Sequence, residues 1–335
     1  MPDFTSALYL GLRHPSSSLE PWQRLTSGVP AALREPRSAI EIAARLAQLV
    51  GAERALLAPS TLHLFWDLFV ALAEPRSSIH VDAHAYAIAR WGVERVTSRG
   101  VAAGTFRAHD PAALERQVRA AGRRPLVVAD GYCPGCGPTP LREYAAIVRA
   151  HGGTLVVDDT QPLGVLGPRG GGSLPLLGAD RVVVGASLAK GFGVPVAMLA
   201  GDPALVRRYE ERSETRVHCS PPSAAVVHAL AHALDVNDRS GAALRARLGQ
   251  IVRSFRSGVS SLGFRPAGGL FPVQTIANGA EAVGLYRRLR RHGVRAVLLE
   301  GDHGPRLGFV LTARHGPADV DCVLAALAPA AVAAG

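Results

Sequence analysis

Lysine is almost missing from these 335 residues: all but one of the 37 Lys and Arg side chains are arginines. Long apolar runs are missing too. None approaches the roughly 20 residues that a membrane-spanning helix needs, so no span is expected. Met1-Pro2-Asp3 opens the chain without a basic stretch leading into an apolar one. No secretory signal is expected on that ground, and the cytoplasm is the expected location. Cysteine is scarce. Cys133-Pro134-Gly135-Cys136-Gly137 resembles half of a zinc or iron knuckle, but Cys219 and Cys322 are single and distant. A closed structural site needs a second pair, so no metal is expected, and the segment reads as a Gly/Pro-rich turn. No helix-turn-helix, zinc-finger or RNP pattern accompanies the formal charge of +10, and nucleic acid is not an expected partner. A basic surface of this kind would instead steer an anionic substrate, a phosphate-bearing cofactor or an acidic carrier protein.

The chain is too long for one simple core, which predicts a large and a smaller domain. Residues 1–37, with Pro15, Pro21, Pro30 and Pro36, read as an arm. From 38 to 215 short apolar runs alternate with helical patterns. Strands are predicted at 54–58, 78–82, 125–130, 153–158, 181–185 and 196–201, and helices at 38–50, 61–72, 111–121 and 141–151. That alternation predicts an α/β fold: a mostly parallel central sheet sandwiched by helices. After about 216 two long helical patterns, 222–236 and 241–262, lead into a smaller α+β domain. Its predicted strands are 271–276, 296–300 and 306–311, and its helices 281–292 and 317–327. The Ala-rich C-terminus is expected to fray.

The one lysine, Lys190, stands in Ser187-Leu188-Ala189-Lys190-Gly191-Phe192-Gly193, directly after the apolar run Arg181–Ala186. Codon bias toward arginine accounts for the other cations. It does not account for the place of the survivor. A lysine can lose its proton and condense with an aldehyde, whereas an arginine stays charged. In an open α/β sheet, ligands gather outside the carboxyl ends of the strands. Asp158 closes one such strand, where a buried carboxylate can pair with a protonated pyridine nitrogen. Gln161 follows and can bond a ring hydroxyl. Ser60, Thr61 and Leu62 open a helix after another strand, where hydroxyls and unpaired N–H groups can hold a phosphate. His84 follows a third strand and can stack on a flat ring. Each has a plainer reading: Asp158 as a turn former, with Asp159 able to take its place; Ser60-Thr61 as a helix cap; His84 as a structural histidine. Taken together with Lys190 they read as a pyridoxal-phosphate site.

The chain also resembles the fold-type-I pyridoxal-phosphate enzymes of the aminotransferase class I/II superfamily, and most of all their α-oxoamine synthase branch. The resemblance runs from Tyr9-Leu10-Gly11-Leu12 to Leu311-Thr312-Ala313-Arg314-His315. It is most specific over residues 156–170, Val-Val-Asp-Asp-Thr-Gln-Pro-Leu-Gly-Val-Leu-Gly-Pro-Arg-Gly. It implies that Lys190 is the Schiff-base lysine, Asp158 the pyridine partner and His84-Ala85 the stacking-histidine motif. Ser187 would be a hydroxyl near the cofactor, and Asp130-Gly131 would begin the segment that turns over the ring. It also implies a homodimer. The departures are specific. Gln161 replaces a family histidine, Ala7 an asparagine, and Tyr86 the serine of the histidine motif. Gly308 replaces the second arginine of a family Arg-Leu-Arg, the one that clamps the substrate carboxylate, leaving Arg306 and Tyr86 as candidate substrate contacts.

The resemblance implies a transferase that joins an amino substrate to an acyl thioester carried by CoA or a carrier protein. An aminotransferase or lyase on the same scaffold is the second reading, favoured by Gln161 and Gly308. A non-catalytic binding protein is the third, opposed by Lys190, Asp158 and His84.

Overall fold

The computed structural model describes residues 1–14, 25–26, 28–134, 136–300 and 304–328. It forms two compact units, one of Leu12–Cys133 and Pro138–Arg239, the other of Met1–Gly11, Pro134–Gly137 and Ser240–Gly335. The predicted arm and the fraying C-terminus lie partly outside the described residues.

The larger unit starts with α1 (Arg37–Val50), β1 (Arg54–Ala58), α2 (Thr61–Leu72), β2 (Ser77–Asp82), α3 (Ala87–Thr97), β3 (Ala102–Phe106), α4 (Pro111–Ala121) and β4 (Arg124–Asp130). The two-residue strands β5 (Tyr132–Cys133) and β6 (Gly137–Pro138) precede α5 (Leu141–Ala150) and β7 (Thr154–Asp158). Then come α6 (Leu174–Leu177), β8 (Val182–Ser187), β9 (Ala197–Gly201), α7 (Pro203–Arg212) and α8 (Glu214–His218). Seven strands make one sheet in the order β1-β9-β8-β7-β4-β2-β3. The pairings β2–β3, β2–β4, β4–β7 and β7–β8 are parallel, while β9 runs antiparallel to both β8 and β1. The parallel strands therefore all end at one edge, where the candidate residues were expected.

The helices start and stop where side chains dictate. Ser60, Asp110 and Asp202 accept main-chain N–H groups at the heads of α2, α4 and α7. Gly51 and Gly122 end α1 and α4 in the left-handed region. On α2, Leu64, Phe65, Leu68 and Phe69 are fully buried. Asp67, buried on the same helix, is matched by Arg95 at 2.8 Å and by Ser213 and Thr215.

β3, β5, β6, α3, α6, α7 and α8 are not in the sequence reading, and two of them have a clear physical reason. β3 lacks branched aliphatic residues and is mostly exposed, as befits an edge strand. α3 holds a mid-helix glycine, Gly92, because a Cβ there would strike the carbonyl of Phe65 on α2. Another difference is a correction. The two helical patterns after residue 222 form one 38-residue helix, α9 (Ala224–Ser261). Its Asn237-Asp238-Arg239-Ser240-Gly241 stretch holds no proline, and a single interior glycine costs only about 1 kcal/mol. Asn237 donates to Arg169 O and Asp235 and Asp238 pair with Arg45. The division between the two units falls within this helix.

In the smaller unit α10 (Gly279–Arg291) and α11 (Pro317–Leu327) accompany an antiparallel sheet of β10 (Val273–Asn278), β12 (Arg306–Val310) and β11 (Val297–Leu299), in that order. The first residues of the chain are built into it. Phe4 N–H donates to Arg295 O and Phe4 O accepts from Val310 N–H. The Phe4 ring, fully buried, stacks on His315 with centroids 4.2 Å apart. No helix among the described residues is long and apolar enough to cross a membrane.

Candidate active site

Lys190 is carried by the turn that leaves β8. Ser187 N–H donates to Thr160 Oγ1 at 2.9 Å and Ala189 N–H to Ser187 Oγ at 3.3 Å, which ties that turn to the end of β7. Gly191 is glycine for a steric reason: a Cβ would strike Leu163 O and stand 3.0 Å from Gly164 Cα. Gly164 itself has φ +87°. The lysine turn thus lies backbone against backbone on the turn that follows Gln161. Burial holds the Lys190 amine below the usual lysine range, and the carboxylates of Asp158 and Asp130 pull it partly back.

Asp158 is buried at the end of β7, beside Asp130 of β4 in the parallel register. Asp158 Oδ1 accepts from Thr160 N–H at 3.0 Å. Burial raises both carboxyls. Repulsion from Asp158 pushes Asp130 further, well above the usual range, while the Thr160 hydrogen bonds and Lys190 hold Asp158 back. Asp159 has different surroundings. Its Oδ2 accepts from Ser173 N–H at 2.7 Å, and its Oδ1 is buried with no hydrogen-bond partner among the described residues. The backbones of Gly131 and Gly172 close over it so tightly that a Cβ on either would strike its oxygens. Burial pushes its carboxyl up to about 6. The two adjacent acids are therefore not interchangeable: Asp158 lies within the electrostatic reach of Lys190, whereas Asp159 is packed under glycine loops.

His84 follows β2 with its side chain exposed. Its N–H donates to Asp82 Oδ1 at 2.8 Å, its Nδ1 lies 3.7 Å from Cys133 Sγ, and its ring meets His109 edge-on at 5.9 Å. Tyr86, also exposed, donates its N–H to Asp130 Oδ1 at 3.0 Å. At the head of α2, Ser60 caps the helix. Its Oγ accepts from His63 N–H and lies 2.8 Å from His63 Nδ1. Thr61 and Leu62 begin that helix, so their N–H groups have no acceptor within it. The cap reading and the anion-site reading of this turn are compatible.

These residues fit pyridoxal phosphate. A buried carboxylate at a strand end wants a cationic N–H partner, and a pyridinium supplies one. A helix head with unpaired N–H groups suits a phosphate. The exposed His84 ring offers a face to a flat heterocycle, and an amine kept below its ordinary pKa suits condensation with an aldehyde. Gln161 is half-buried in the turn between Asp158 and Gly164.

Arg306 belongs to the smaller unit, opposite Leu299 and Asn278 in the strand register. It donates to Glu300 O at 3.3 Å, and its Nε is buried without a partner among the described residues. Two positions on, the Cβ direction of Gly308 points at Leu299 Cδ1 (2.8 Å) and Val297 Cγ2 (3.0 Å). Hydrocarbon fills the place of a side chain there. Asp82, Thr160 and His63 are contributors that the sequence reading missed. Asp82 sits at a strand end two residues before His84, and Thr160 directly before Gln161 in the Asp-Asp-Thr-Gln run. His63 is signalled only by its place in the first turn of α2.

A family model for aminotransferase class I and II matches residues 28–326. Among curated proteins, the 8-amino-7-oxononanoate synthase of Halorhodospira halophila is 33% identical over 345 residues, covering 96% of this chain and 84% of its own. Among solved structures, the Sphingomonas wittichii serine palmitoyltransferase superposes with a TM-score of 0.86 at 20% identity, over 97% of this chain and 86% of that one. The 8-amino-7-oxononanoate synthase of Francisella tularensis gives 0.77 at 17% identity, over 97% and 96% of the two chains.

Proposed function

This chain belongs to the aminotransferase class I and II family, and from that premise we propose that it joins an amino substrate to an acyl thioester, as an α-oxoamine synthase. It is a pyridoxal-phosphate-dependent transferase of fold type I. When bound, the cofactor supplies an electron sink that stabilises a carbanion at the α-carbon of the substrate.

The observation that carries the reading is the place of the one lysine: at a strand end beside Asp158 and Asp130, with its amine held below the ordinary range. In this role Lys190 would hold the cofactor through its amine and would serve as the base for the substrate α-proton. Asp158 would hold the cofactor's ring nitrogen in its cationic form. Ser60, Thr61 and Leu62 would hold the phosphate, and His84 would stack on the ring. Gln161 and Ser187 bond polar atoms nearby, and Asp130 fixes the Tyr86 loop. Gln161 cannot serve as an acid near neutral pH, so proton transfer is assigned to Lys190.

The amino substrate is a small molecule, and the acyl donor is CoA-linked or carrier-linked, consistent with the net charge of +10. A cytoplasmic homodimer is the form in which we propose it works. α2 and α3 expose Leu62, Trp66 and Trp91, large apolar side chains of the kind a partner subunit covers. Sedimentation should show a dimer, and a fully active monomer would contradict it.

The Gly308 position supports a second reading, an aminotransferase or lyase, because the clamp place on β12 is filled by Leu299 and Val297. The two separate on one experiment: holoenzyme is mixed with a panel of amino acids and amines, with and without acyl thioesters, while free thiol and product mass are followed. Thiol release coupled to a condensed product supports the synthase. Turnover of amines with no thioester consumption supports the second reading.

A further inference from the structure

The loop that presents His84, residues 82–86, is anchored through almost all of its main chain. Ala83 N–H donates to Phe106 O at 3.0 Å, and Ala85 N–H to Asp82 O at 2.9 Å. His84 N–H is taken by Asp82 Oδ1 and Tyr86 N–H by Asp130 Oδ1. Asp82 Oδ2 accepts from Tyr144 O–H at 2.8 Å and from His109 N–H at 3.1 Å, which joins the loop to α5 and to the segment after β3. Three of the carbonyls share one side-chain donor. Arg90, from α3, donates through Nε to Ala85 O at 2.8 Å and through Nη2 to Asp82 O at 3.3 Å and to Ala83 O.

Arg90 forms no ion pair among the described residues. Its charge faces three main-chain oxygens instead. Only a planar guanidinium offers several donors in a fixed fork, so a lysine could not reproduce this set. A charge-assisted hydrogen bond is about twice as strong as a neutral one, so this fork joins the Asp82 carboxylate among the strong attachments of the loop.

We propose that Arg90 is a positioning residue for His84: its guanidinium locks the carbonyls of the 82–86 loop and so fixes where the imidazole stands. The inference rests on the cofactor reading above. It assigns a role to a residue that need not touch cofactor or substrate.

The test is a mutant cycle read by cofactor binding. Arg90→Lys, Arg90→Gln and His84→Ala, and each Arg90 variant combined with His84→Ala, are titrated with pyridoxal phosphate for Kd. The visible circular dichroism of the bound cofactor is recorded alongside. Either Arg90 change should raise Kd by about tenfold, the worth of one or two net hydrogen bonds, and weaken the visible dichroism. In the His84→Ala background the same change should alter Kd by less than about twofold, because the histidine it positions is gone. An undiminished effect in that background would show a general structural role and overturn the inference. So would wild-type Kd and dichroism in both single variants. Should Arg90→Gln fail to fold, the Arg90→Lys cycle carries the same comparison. A wild-type protein that takes up no pyridoxal phosphate would instead refute the cofactor reading, and this inference with it.

Discussion

At the ends of β2, β4 and β7 the larger unit gathers Asp82, Asp130, Asp158 and the adjoining Asp159, all buried or half-buried. Along β12 the smaller unit has Arg306 and Gly308 on one face, with Leu299 and Val297 packed where a side chain at 308 would stand. The first region is electrostatically tense. Burial raises three of its four carboxyls, and the amine of Lys190 is the cation that answers Asp130 and Asp158. The second is relaxed: hydrocarbon meets hydrocarbon. Buried charge is costly unless something holds it in place, and a cationic ring with an N–H donor is such a partner. The larger unit concentrates buried charge at its strand ends, whereas the smaller unit lines the 308 position with hydrocarbon.

The largest expected effect breaks the first region outright. Lys190→Ala should lower turnover ~10³-fold by removing a positioned acid–base group, and borohydride should no longer fix a pyridoxyl mass on the protein. Normal turnover, or a pyridoxyl increment elsewhere, would end the tension argument.

Asp158→Asn should follow, with turnover down ~10²-fold from the loss of one preorganised electrostatic contact, while some cofactor remains bound. A visible titration with steady-state assays reads both. If the variant were fully active, the pyridine partner would have to be Asp159 or no carboxylate.

A smaller effect probes the second region. If Arg306 takes over substrate binding, Arg306→Ala should raise KM for a carboxylate substrate about tenfold, as loss of a charged hydrogen bond does. It should leave KM for the matching amide or amine within about twofold. Strong activity on simple α-amino acids that survives this change would show that carboxylate recognition lies elsewhere.

The smallest effect sharpens the contrast between the two neighbouring acids. The folded carboxyl of Asp159 sits at about 6, above its ordinary 3.8, so the native state binds the extra proton in that window. Stability from this group therefore falls as pH rises through the window, and its full cost is present above it. Asp159→Asn stays neutral throughout. Its melting temperature relative to wild type should climb by roughly 3 °C between acid and neutral pH. A difference that is flat with pH would mean that the carboxyl is not held neutral.

Residue types and order along the chain determined much of this protein. The apolar runs ending in Asp130 and Asp158 are buried strands because branched residues with no polar alternation suit a sheet covered on both faces. Lys190 stood out because its amine has chemistry that no arginine can copy. Hidden from that reading were facts that depend on neighbours distant in sequence. Gly92 breaks the helical pattern of α3 in order to pack on α2, and the edge strand β3 lacks the aliphatic signature of its neighbours. The helical patterns after residue 222 join into one helix because its Asn-Asp-Arg-Ser-Gly stretch weakens the pattern without breaking it. Only the folded chain decided which of two adjacent acids lies near the lysine, since strand ends and glycine loops divide Asp158 from Asp159. It also decided that Arg90, unremarkable among so many arginines, holds the loop of His84. The reason is physical: periodicity reports which side of an element is buried, whereas partners are chosen by tertiary packing.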